Sequence, residues 1–127
     1  MIAELSECKR FRYLLSEKIS DYPEKHLIGG LCNPSDAGSL DENGEMMTDN
    51  TFEKFKAIGL NNQCSHVHIV NVIPYITPDV KEAEAFLDTI TEDLRLEMLK
   101  INSCTINRIK SLPGEMILLE VVWAFLS

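Results

Sequence analysis

Apolar residues fall into two rhythms along this 127-residue chain, and the alternation between them predicts its elements. Residues 66–75, His-Val-His-Ile-Val-Asn-Val-Ile-Pro-Tyr, are β-branched and almost continuously apolar. That is the pattern of a central parallel strand covered on both faces. Residues 26–32 predict a second, shorter buried strand. Its paired Gly29 and Gly30 lower strand propensity but let a backbone or a ligand come close. Residues 116–125 predict a third, after a turn at Pro113-Gly114.

The 3.6-residue rhythm predicts the helices. Asn50 with Glu53 forms a capping box, Phe52, Phe55 and Ile58 supply an apolar face, and Gly59 ends the helix. Thr77 caps a longer one with Pro78 in its first position. Val80, Ala83, Leu87, Ile90, Leu94, Met98 and Ile101 make its stripe. A break at Asn102 or Ser103 starts a shorter helix to Leu112. Residues 2–19 carry both rhythms: Leu5, Cys8, Arg12, Leu15 and Ile19 are helically spaced, while Phe11, Tyr13 and Leu15 alternate. The expectation there is a short helix, then a strand over 10–17. Residues 33–50 are rich in Asn, Asp, Ser, Gly and Thr and predict a loop, whose length marks it as either a functional lid or a disordered segment.

Strand, loop and helix, strand, long helix, strand is the order of a right-handed α/β unit. The expected fold is one α/β domain over 1–127. It has a three-layer, mostly parallel sheet of three core strands plus an N-terminal strand, with helices on both faces. Ligands of such sheets bind beyond the carboxyl ends of the strands.

Charge narrows the partners. Twenty acidic against twelve basic side chains leave a net charge of −8, a field that repels nucleic acid. Lys9, Arg10 and Arg12 are the nearest approach to a basic patch. No apolar run reaches the roughly 18–20 residues that span a bilayer, and the N-terminus lacks a signal-peptide layout. With four unpaired-looking cysteines, Cys8, Cys32, Cys64 and Cys104, the expectation is a cytoplasmic protein with reduced, mostly buried thiols. Its partner is a small molecule or another protein, with self-association through the apolar C-terminal strand. Phosphate-loop, dinucleotide and nucleophile-elbow motifs are missing, and no cofactor is expected.

The polar residues at the strand ends are the candidate site. Pro34 stiffens the turn after the first core strand, so that Asn33 presents its amide and the following N–H groups face an anion; an Asx turn explains the same residues. Asp49-Asn50-Thr51 either caps a helix or lets Asp49 orient a water. Asn71 interrupts an apolar run and must be bonded, to a neighbouring loop or to a ligand. Tyr75 completes the rim. Cys64, His66 and His68 share a strand face by alternation, but nothing clearly supplies further ligands, so histidines satisfied in the core or at an interface are expected and a metal is not.

The ordered set Arg12-Tyr13-Leu14-Leu15-Ser16, Leu31-Cys32-Asn33-Pro34-Ser35-x-Ala37, Asp49-x-Thr51 and Val70-Asn71-Val72-x-Pro74-Tyr75 resembles an uncharacterised microbial domain family, over most of the chain to about residue 80. More distantly, Gly30-Leu31-Cys32-Asn33-Pro34-Ser35 with Asn71-x-x-Pro74 is similar to the uracil-DNA glycosylase superfamily. That resemblance implies that Asn33 orients the attacking water and that Asp36 or Asp49 stabilises a cationic sugar. Pro34, Ser35, Ala37, Thr51, Asn71 and Tyr75 would then hold the ligand. The leading expectation is a site for a nucleobase, nucleoside or nucleotide, with or without N-glycosidic hydrolysis. The alternatives are a non-catalytic interaction domain of immunity, anti-defence or phage accessory type, and a self-assembling structural protein.

Overall fold

A computed structural model describes residues 1–6, 10–31, 42–43, 50–71, 75–77 and 79–120. Five strands form one sheet in the order β1-β2-β4-β3-β5. The three core strands, β3 (Lys25–Leu31), β4 (His66–Asn71) and β5 (Glu115–Glu120), are parallel, with β3 between the other two. Leu31 pairs with Asn71, so β3 and β4 release the chain at the same edge of the sheet. Residues 72–74, which belong to the predicted strand over 66–75, and 121–127 lie outside the described residues.

The N-terminal segment departs from expectation. Its helical spacing is not used among the described residues; β1 (Ile2–Leu5) and β2 (Arg12–Lys18) form an antiparallel pair, and β2 continues antiparallel onto β4. Arg12, Leu14 and Leu15 of β2 are all buried. A strand packed on both faces shows no strict period of two, and the helical reading arose from that loss of contrast. The sheet is therefore mixed: three parallel core strands and two antiparallel ones.

Consecutive strand residues serve different clusters. Leu15, Leu27, Val67 and Ile69 pack with Phe52 and Phe55 of helix α1 (Asn50–Asn61). Leu14, Ile28 and Val70 pack with Ile109 of helix α3 (Glu92–Lys110). Glycine makes the first contact possible, since a Cβ on Gly29 would run into the Phe55 ring. Gly59 lies inside α1 rather than ending it, where an added Cβ would meet Ile19 and Val67 at 2.8 Å. The chain turns instead at Gln63, with φ of 58°, and the Cys64 N–H closes onto the Gly59 carbonyl at 2.9 Å. Ile58 is partly exposed, so Phe52, Phe55 and Gly59 make the buried face.

The long helix is also divided differently. Helix α2 (Val80–Thr89) is capped by Asp79, which accepts from the Lys81 N–H at 2.9 Å. Thr77, the predicted cap, instead donates to Glu82 and accepts from the Asp79 N–H. The break falls at Ile90 and Thr91, where Thr91 caps α3 by accepting from the Leu94 N–H at 3.2 Å. Asn102 sits buried within α3. A cap threonine in register with the apolar stripe resets the helix without interrupting the stripe, which is why periodicity concealed the break. No helix among the described residues is long and apolar enough to cross a membrane.

Candidate functional site

Three of the predicted site residues fall among those described. Thr51 lies in the first turn of α1, Asn71 ends β4, and Tyr75 forms an isolated bridge with Phe11. Asn33, Pro34, Ser35, Asp36, Ala37 and Asp49 lie outside the described residues.

Asn71 is 2% exposed. Its backbone carbonyl accepts from Asn102 Nδ2 at 3.1 Å, whereas its side-chain Oδ1 and Nδ2 have no hydrogen-bond partner among the described residues. The backbone of β4 is thus tied to α3 at this point; the loop expected to meet the amide lies largely outside the described residues. Leaving a buried amide unbonded costs about 1–3 kcal/mol, so the sequence retains a polar group where an apolar one would stabilise the fold. Arg12 is buried at the same edge, because β2 runs antiparallel to β4 and begins where β4 ends. Burial removes it from any surface basic patch; Arg10 stays exposed over the Tyr75 ring at 5.6 Å. Tyr75 stacks on Phe86 with centroids 4.5 Å apart. Beside Gly30, no atom of the described residues lies within 4 Å of an added Cβ.

At the other end of β4 the fold gathers all three histidines of the chain. His26 pairs with His66 across the parallel ladder, and Ser16 pairs with His68 across the antiparallel one. The rings stack: His26 lies 4.8 Å from His66 and 5.0 Å from His68, centroid to centroid. Side chains then form a continuous chain. Ser16 Oγ is 2.7 Å from His68 Nδ1, His68 Nε2 is 2.8 Å from His26 Nδ1, and His26 Nε2 is 3.1 Å from Glu24 Oε1.

The acceptor at the end sets the polarity of that chain. An ionised carboxylate only accepts, so His26 Nε2 carries a proton. With one proton on His26, its Nδ1 accepts from His68 Nε2–H, and the bare His68 Nδ1 accepts the Ser16 hydroxyl proton. Burial, with the neighbouring His26 and His66, lowers the His68 pKa to about 4 and keeps its ring neutral at neutral pH. His66 is held by Ser65 Oγ at 2.6 Å. That hydroxyl donates to the Lys25 carbonyl, so His66 donates from Nδ1 and keeps Nε2 as an acceptor. Burial lowers its pKa as well.

A cavity of about 520 Å³ opens beside this chain. Ser16, His66 and His68 are on its wall, with Ile2, Leu14, Ile109 and Leu112 as apolar lining. Arg108, bonded to Glu4 at 2.6 Å, and Lys18 bring cations to it. Comparison with known proteins finds no matching family model, curated protein or solved structure.

Cys64 does not share the histidine face. It precedes β4, packs with Phe52 and Phe55, and is fully buried, because alternation begins only where the strand does. Among the described residues no group of three or more His, Cys, Asp or Glu side chains is placed to hold a metal ion. The histidine relay escaped sequence reasoning because its bonds span 42 and 52 residues. Its only sequence signal was the concentration of three histidines in two predicted strands.

Proposed function

We propose that this chain is an acidic, cytoplasmic domain that binds a small ligand of nucleobase, nucleoside or nucleotide type. The site is the carboxyl edge of a three-layer sheet with helices on both faces. The layering is supported by the alternation of Leu14 and Leu15, and of Ile28 and Leu27, between the α3 and α1 clusters. One observation carries the ligand reading: Asn71, almost fully buried at the edge where β3 and β4 release the chain, has an amide donor and an amide acceptor that no group among the described residues uses. A base edge offers the complementary pair, since an asparagine amide can meet a donor and an acceptor on one heterocycle simultaneously. Buried Arg12 adds positive potential at that edge for an anionic ligand. The resemblance to uracil-DNA glycosylases assigns Asn33, Asp36 and Asp49 to hydrolysis, and Pro34, Ser35, Ala37, Thr51 and Tyr75 to holding the ligand.

Titration calorimetry against free bases, nucleosides and mononucleotides tests the reading. At least one ligand binds well below millimolar, and Asn71→Ala abolishes that binding. Millimolar or weaker affinity for the whole panel refutes it. Chromatography of nucleosides after incubation reads the hydrolytic step separately. A second reading, self-association through β5, is favoured by the 58% exposure of Leu118 on that edge strand. A monomeric mass by light scattering at high concentration removes it.

A further inference from the structure

We propose that Ser16 is the nucleophile of a second, independent site that transfers the acyl group of a small carboxylic ester. The site lies at the amino end of β4, where His66 is the first strand residue, and Asn71 is the last residue of that strand. Failure of the base-binding reading therefore leaves this one standing, and the converse also holds.

Three observations converge. The relay Ser16–His68–His26–Glu24 has heavy-atom separations of 2.7, 2.8 and 3.1 Å, all within reach for proton transfer. Its polarity runs from a hydroxyl that can lose a proton to His68 as acceptor, with His26 and, through it, the Glu24 carboxylate holding that ring in place, the logic of a base oriented by a third group. The hydroxyl end lines an open cavity rather than solid core. A purely structural chain has no need of that opening. A valine at position 16 and apolar residues at 26 and 68 would fill the same space without the cost of desolvating two imidazoles.

The cavity also indicates the substrate. Ile2, Leu14, Ile109 and Leu112 accept a short apolar acyl or alcohol chain. Arg108, paired with Glu4, and Lys18, paired with Asp21, are side-chain cations on the same wall that can turn towards an oxyanion, while Glu4 and Glu17 also line it. In the first step Ser16 Oγ forms a bond to the carbonyl carbon while its proton passes to His68 Nδ1. The tetrahedral oxyanion collapses, the ester C–O bond breaks, and the departing alkoxide takes the proton from His68. Water then adds to the acyl-Ser16 ester with His68 as base, releasing the acid and restoring the hydroxyl. Ester and water are consumed, acid and alcohol are formed, and no redox partner is involved.

The test uses the full chain with an alkyl fluorophosphonate and with p-nitrophenyl butyrate. Intact-mass and peptide analysis should place one phosphonyl adduct on Ser16, with none on Ser20 or Ser65. Ser16→Ala should remove both the adduct and the ester turnover. His68→Phe, which keeps an aromatic ring without its nitrogens, should slow labelling about 100-fold or more. Glu24→Gln changes a partly exposed side chain and serves where His68→Phe does not fold. It should slow labelling about tenfold while the melting temperature stays close to wild type. A folded wild-type chain that gains no adduct on Ser16 overturns the proposal. So does labelling that proceeds at the same rate in Glu24→Gln.

Discussion

His26 Nδ1 and His68 Nε2 lie 2.8 Å apart on adjacent parallel strands, and both side chains are at least 95% buried. Each neutral ring carries its proton on Nε2, so a further proton on His68 must enter at Nδ1, displace the hydrogen bond from Ser16 and leave a cation in the core. The pair therefore ties the stability of the sheet to pH.

Acid should destabilise the fold in a defined window. The His68 pKa is lowered to about 4, from an ordinary histidine value of about 6.5 in the unfolded chain. The folded form binds fewer protons between those values, so stability rises with pH across the window. The contribution is complete above about pH 6.5, is lost progressively as pH falls, and is gone below about 4. It is on the order of 3 kcal/mol, and the lowered pKa of His66 acts in the same sense. Urea denaturation at several pH values checks this, and His68→Phe should flatten the dependence.

Replacing Asn71 by leucine should trade function for stability. Its amide is buried with neither polar atom bonded among the described residues, so an apolar side chain of similar size should relieve about 1–2 kcal/mol. The same variant should lose base binding at the carboxyl edge. Thermal denaturation and calorimetry read the two effects; a destabilised variant would mean that the amide serves the fold.

The two glycines of β3 should behave oppositely. Gly29→Ala places a Cβ in the Phe55 ring and should cost about 1–3 kcal/mol through overpacking. Phe55→Leu in the same chain should recover part of that loss. Gly30→Ala has no described atom to displace and should leave stability unchanged or slightly raised. Denaturant midpoints measured on the three variants decide.

Thiol reactivity should separate Cys64 from Cys104. Both are free; Cys64 is fully buried and Cys104 is exposed. Burial pushes the Cys64 thiol up, which lowers its thiolate fraction. Under native conditions iodoacetamide should modify Cys104 within the time that leaves Cys64 intact, as read by peptide mass. Cys104 is exposed because the α3 stripe turns that position outward, while Cys8 and Cys32 lie outside the described residues.

Much of the fold was legible in short windows. The β-branched run at 66–71 and the apolar run at 26–31 specify strands by composition alone, and Asn50 with Phe52 and Phe55 specifies α1. Boundaries were less legible. Cap and break signals at Thr77, Asp79, Thr91 and Gly59 use the same residue types, and only side-chain geometry assigned them. Asn71 stood out because a lone amide in an apolar run is costly anywhere; that no described residue bonds its amide required the packed neighbours.

By itself the amino-acid sequence determined the strand–helix order from Lys25 to Glu120 and the parallel grouping of β3, β4 and β5, because hydrophobic periodicity and crossover handedness are local and chiral constraints. Only the tertiary structure decided that β4 lies between β2 and β3. That placement brings Ser16, His68, His26 and Glu24 into one hydrogen-bonded line beside a cavity. Strand neighbours and register are settled by competition among distant segments for the same core, and periodicity reports burial without naming the partner.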